Sequence, residues 1–162
     1  SEGNQRLITV SADASSIEKW RKLVIAGQPE TGRTYALVSD EGNYMPGGEG
    51  TAPTPLTYFV SGMGFDDLAS IAGCDKKENR IRNEQVKVTA HFHEQGSVLR
   101  GDAEGFCDGF EIEIQMDSDE SREKLSELIA LARKMCFTEK ALTAPVPIKV
   151  KQNINGTTEV LP

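Results

Sequence analysis

Cysteine is scarce in this sequence: Cys74, Cys107 and Cys136 are the only three among 162 residues. The count is odd and the spacing fits no metal-ligand pattern, so neither a disulfide framework nor a structural zinc site is expected. Free thiols in a reducing cytoplasm fit better, and a cytoplasmic location is expected. Long apolar runs are also lacking: none approaches the roughly 20 residues needed to span a bilayer. The N-terminus shows no basic stretch followed by an apolar one, so no signal peptide is expected. Basic charge is in deficit, with 18 Lys and Arg against 25 Asp and Glu and a formal net charge of -7. Nucleic acid and anionic membranes attract basic surfaces, so neither is an expected partner. Internal repeats, low-complexity segments and a second-domain boundary are absent from the pattern. The expectation is one domain over residues 1–162, large enough for a real core, with 1–16 and 154–162 as peripheral extensions.

The stretch Gly47–Cys74 organises the rest. It opens with glycines, threonines and prolines, which read as turn and helix entry. A phosphate loop would need a following Lys-Ser/Thr, which is missing. Thr54 can serve as N-cap and Pro55 as a first helical residue that spares its missing N–H. Leu56, Phe59, Val60, Met63, Leu68 and Ile71 then recur at helical spacing, while Tyr58 and Phe65 lie off that stripe. A helix apolar on most of its circumference is expected to be buried.

Around it the chain reads as follows. Leu7–Ala12 is a short strand. Ile17–Ala26 fits helix or strand, with strand preferred. Gln28–Gly32 is a turn, Arg33–Ser39 an alternating strand and Asp40–Gly50 a loop. Asp75–Arg80 is a charged helix end or linker. Val86–Phe92 and Ser97–Ala103 read as paired strands, and Phe110–Met116 as a strand wet on one face. Asp117, with Glu120 three residues on, reads as the cap of a second helix striped by Leu125, Leu128, Ile129, Ala132, Met135 and Cys136. Thr138 can cap a third helix through Leu142 that Pro145 stops. Val146–Lys151 is a last strand, and Asn155-Gly156 a turn that could start a closing hairpin. Strands separated by helices favour α+β with antiparallel sheets.

Few side chains promise chemistry. Cys136 lies just ahead of the third helix, whose dipole favours a thiolate, although a cysteine on an apolar stripe is also an ordinary core residue. Asp66 falls near the buried face of the central helix, whereas Asp67 can point to solvent. A carboxylate at 66 needs a cation, a donor or a proton. Arg33 is the preferred cation, with Arg21 also in the region. His91 and His93 form H-x-H on a strand, but no third ligand stands at a fixed spacing, so no metal and no cofactor are expected.

The Gly47–Cys74 stretch resembles the first signature of the OsmC/Ohr family of organic hydroperoxide reductases. That signature has a Gly-Gly loop, a Pro-led helix start and then G-L-x-x-C. The matching residues are Pro55, Leu56 and Thr57, then Gly62, Met63, Gly64, Phe65 and Asp66. The resemblance covers about residues 20–153. It places Asp66 where the family's peroxidatic cysteine belongs and Thr57 where glutamate is usual. The second signature, a late cysteine between two helices, is met by Ala132–Leu142, with Cys136 kept and the following proline replaced by Phe137.

The resemblance implies an α+β OsmC-like fold, with antiparallel sheets wrapped around the central helix in an intertwined homodimer; an apolar helix in a small chain would also fit a monomer. It implies thiol-dependent reduction of organic hydroperoxides, with Cys136 as resolving thiol and Arg33 as the arginine that holds thiolate and peroxide. Because Asp66 replaces the nucleophile, that activity is expected to be weak or lost. Cys74 lies about 12 Å further along the helix axis than residue 66 and cannot replace it in place. The alternative is a non-catalytic member binding a small apolar ligand at the dimer interface. Ligand candidates are thus a peroxide or a small apolar molecule.

Overall fold

The computed structural model describes residues 5–75 and 81–162. The expected linker over 75–80 lies, beyond Asp75, outside the described residues. The described chain is α+β, with helices and antiparallel sheets. It divides into two compact units between Ser61 and Gly62.

In the first unit, β1 (Ser11–Ser16), β2 (Lys22–Gln28) and β3 (Arg33–Ser39) form an antiparallel sheet in that order. A single 3-10 turn joins β2 to β3 and ends on Gly32 at φ 65°, which only glycine adopts freely. The first strand starts at Ser11, not Leu7. Pairing of Ser11–Ser16 with Lys22–Gly27 sets its place, while Leu7 and Val10 stay exposed. The ambiguous stretch from Ile17 resolves into a bend over 17–20 and then strand β2.

The loop after β3 is held by Asp40, which is 3% exposed and accepts from Thr51 N (3.0 Å) and Thr51 Oγ1 (2.8 Å). Gly48 permits a close approach here: a Cβ would stand 2.5 Å from the carbonyl oxygens of Glu41 and Gly42. The loop delivers Thr54, whose Oγ1 accepts from Thr57 N at 3.2 Å and caps α1 (Pro55–Cys74). Tyr58 Oη donates to the Val38 carbonyl at 2.7 Å. Among its described residues this unit has no buried apolar side chain.

The second unit holds the rest of α1 and a long antiparallel ribbon of β4 (Ile81–Gln95) and β5 (Glu104–Ser118). Ser97–Ala103 is a turn rather than a strand. Ser97 N donates to Asp102 Oδ1 at 2.7 Å and Gly101 sits at φ 74°, so turn chemistry overrides the apolar Val98 and Leu99. The expected strand Phe110–Met116 is the heart of β5.

Helix α2 (Arg122–Met135) is capped by Ser121, which accepts from Lys124 N, and not by Asp117. Asp117 stays in β5 and accepts from Asn83 Nδ2 at 2.8 Å. Helix α3 (Phe137–Thr143) follows, capped by Cys136 and not by Thr138. Strand β6 (Lys151–Ile154) starts only after Pro145 and Pro147, which cannot donate to a ladder. It turns through Asn155 and Gly156, both at positive φ, into β7 (Thr157–Val160).

The buried apolar residues are Met63, Ile71, Ala132 and Cys136. Helix α1 buries one stripe, Met63, Asp67, Ser70 and Ile71, and not most of its circumference. Leu68 is half-buried and Phe65 is 73% exposed in the single chain. No helix of the described residues is long and apolar enough to cross a membrane.

Candidate functional site

Within the second unit, α1 and the α2–α3 joint bring Asp66 and Cys136 together. Cys136 ends α2, with its N–H bonded to the Ala132 carbonyl, and starts α3 as N-cap, where Sγ accepts from Glu139 N at 3.5 Å. Its side chain is wholly buried and donates its S–H to Asp66 Oδ2 at 3.3 Å. The same oxygen accepts from Thr138 N at 2.8 Å, so Asp66 satisfies one of the free amides that open α3. Thr138 Oγ1 lies 3.2 Å from Sγ. A half-buried carboxylate thus spans helix entry and thiol.

Asp67, and not Asp66, is the acid turned furthest inward. It is 3% exposed, and its Oδ2 is buried without a hydrogen-bond partner among the described residues. Burial, together with the negative charges of Glu139 and Asp66, raises its pKa. Glu139, 8% exposed, is gripped by Arg133: Nε reaches both carboxylate oxygens at 3.0 Å and Nη2 reaches Oε2 at 2.8 Å.

The Cys136 thiol is not a ready thiolate. Burial pushes it up to about 11, Asp67 and Asp66 add to that, and the bonds from Thr138 and Glu139 only partly offset it. The expectation that the dipole of α3 favours a thiolate is therefore reversed, because desolvation outweighs a short helix's field. At neutral pH the thiol of this site is protonated.

Arg33 stands exposed in the first unit, at the start of β3, where it lines a groove of about 740 Å³ with Val10, Ala12, Ala26, Tyr35 and Leu37. Cys74 Sγ lies 3.5 Å from Met135 Sδ, and Cys107 is exposed on β5. His93 Nδ1 is 2.8 Å from Asp108 Oδ2, with its ring stacked on Phe106. Asp67, expected to point to solvent, is buried instead, and no role was expected of Glu139 or Arg133. The one available signal was the position of Glu139, three residues after Cys136 and thus one helical turn from it.

The OsmC-like protein family model matches residues 48–151. No curated protein matches the chain. Solved structures do. One is an OsmC-like hydroperoxide resistance protein from Jannaschia sp. CCS1, at 22% identity and TM-score 0.61, covering 95% of this chain and 98% of that one. Another is the OsmC-like protein of Mycoplasma pneumoniae, at 15% identity and TM-score 0.59, covering 86% and 89%. A third is an organic hydroperoxide resistance protein OsmC from Legionella pneumophila, at 17% and 0.56, covering 86% and 92%. At such identities the likeness is one of fold. The family match spans well over half of the residues, and the chain belongs to the OsmC-like protein family.

Proposed function

We propose that this chain serves hydroperoxide stress resistance as a single OsmC-like domain in a cytoplasmic homodimer, with weak or no thiol peroxidase turnover of its own. Asp66 holds the place of the peroxidatic nucleophile, Cys136 that of the resolving thiol, and Arg33 is the cation for a peroxide. The observation that carries this reading is the S–H bond from Cys136 to Asp66 Oδ2 at 3.3 Å. Two thiols at these positions would be a redox pair; a thiol and a carboxylate are not. A carboxylate cannot accept oxygen from a peroxide as a thiolate does, and the remaining thiol is held protonated. The names of the Jannaschia and Legionella relatives support the hydroperoxide setting. The family match runs across the division at Ser61, which supports one domain. Shared burial between two chains is supported by the bare first unit, in which Tyr35, Leu37 and Val38 lie exposed on β3. The test is turnover of tert-butyl hydroperoxide with dithiothreitol or a lipoylated reductant, beside thiol counting. Rapid turnover lost in Cys136→Ser would overturn the reading and make Cys136 the nucleophile.

A second reading, a non-catalytic binder of a small apolar ligand, is favoured by the mostly apolar groove beside Arg33. Saturable binding of a fatty hydroperoxide's alcohol, without turnover, would select it.

A further inference from the structure

We infer that Asp67, Cys136 and Glu139 form a binding site for one thiophilic divalent cation, with Zn²⁺ as the best fit. Their ligand atoms all lie within 4.8 Å of one another, and all three residues are buried. Zinc bonds of roughly 2.0–2.3 Å need ligand atoms about 3.5 Å apart, so closing on an ion takes only small side-chain rotations.

The second observation is the orphaned oxygen. Asp67 Oδ2 is buried and finds no donor among the described residues, in an interior where an unpaired carboxylate oxygen is costly. Asp67 belongs to the same small group as a thiol and a second carboxylate, which is the donor set of a metal centre. Glu139 keeps lone pairs free beyond those that Arg133 occupies, since a carboxylate offers about four acceptor positions.

Metal entry at a thiol is an exchange: M²⁺ binds Cys136 as thiolate together with the two carboxylates, and the S–H proton, with any proton that Asp67 carries, leaves to solvent. No electron moves. The thiolate selects zinc over magnesium or calcium. His91 and His93, the histidines that the sequence offered, take no part.

The inference does not rest on the peroxide reading, because its readout is metal alone. The full chain, stripped with EDTA and freed of thiol reductants, is titrated with Co²⁺ and then Zn²⁺. The expected result is one equivalent of Co²⁺, a thiolate-to-cobalt charge-transfer band in the near ultraviolet, up to two protons released, and bleaching by Zn²⁺. Cys136→Ser and Cys136→Ala lose the band, whereas Cys74→Ser and Cys107→Ser keep it. Asp67→Asn, nearly isosteric and checked for folding by circular dichroism, weakens binding at least tenfold. No band in the folded wild type, a band that survives loss of the Cys136 thiol, or an affinity unchanged in folded Asp67→Asn would each overturn the site.

Discussion

Arg133, in the last turn of α2, clasps the Glu139 carboxylate, in the first turn of α3, through hydrogen bonds of 2.8–3.0 Å. This ties the two helices across the Cys136 joint. Glu139 is buried while the Arg133 side chain is 57% exposed, so only one partner has water to fall back on. Arg133→Ala strands a carboxylate, and hydrogen bonds to charged groups are worth about 1.5–3 kcal/mol. The expected loss is roughly 2 kcal/mol in urea unfolding, with Glu139→Gln costing less because it still accepts. Equal stability of Arg133→Ala and wild type would show that the clasp is incidental.

Asp40 gives a pH dependence whose sign can be worked out. Its bonds from Thr51 N and Thr51 Oγ1 hold its pKa below the ordinary carboxylate value. The group then stabilises the fold above the unfolded carboxylate pKa, near 4, and that contribution is lost as pH falls through the lower folded value. Asp40→Asn is expected to lower the melting temperature at pH 7 and to flatten its fall between about pH 4 and pH 2. Parallel melting curves for the two proteins would sink this assignment.

Legibility in the sequence followed the range of the interactions. The Thr54 cap, Pro55 at the helix start and strand Arg33–Ser39 are local, and they stand where the residues put them. The caps of α2 and α3 slipped. Several residues near each boundary can cap, and the bond from Asn83 that occupies Asp117 is invisible in one dimension. The choice between Asp66 and Asp67 failed for a related reason. Neighbours on a helix differ by about 100°, and a helix apolar all round gives no direction for the core. The Arg133–Glu139 clasp crosses a helix break, where the usual i, i+3 and i, i+4 rules stop. The pairing of Asp66 with Cys136 came through the family's two signatures, since nothing local links residues 70 apart.

Cys136 should behave as a hidden, protonated thiol. With its pKa pushed up to about 11 and its side chain wholly buried, thiolate is scarce at neutral pH. In chelator-treated protein, a disulfide reagent at pH 7.5 is expected to label Cys107 first, Cys74 next and Cys136 last, unless the chain is unfolded. Mass spectrometry of the labelled peptides reads the order. Labelling of native Cys136 as fast as Cys107 would mean that the joint opens readily.

The sharpest expectation concerns Asp66→Cys. In the native chain the carboxylate at 66 reaches Cys136 Sγ at 3.3 Å, so the two side chains already face each other within the second unit. A cysteine at 66 places a second sulfur near the first, where a disulfide needs only small adjustment of rotamer and backbone. It also removes one carboxylate that raises the pKa of Cys136. A thiolate at 66 would attack the peroxide oxygen, release the alcohol and become a sulfenic acid; Cys136 would then condense with it and expel water. The test treats chelated Asp66→Cys with one equivalent of cumene hydroperoxide and maps disulfides by mass spectrometry. A bond between residues 66 and 136, with turnover above wild type when a dithiol is supplied, is the expected outcome. A folded variant that forms the bond but turns over slowly would show that the sulfur pair alone does not make a peroxidase. A folded variant that forms no such bond would mean that the joint does not let the two sulfurs meet, and the assignment of Asp66 to the nucleophile's place would fall.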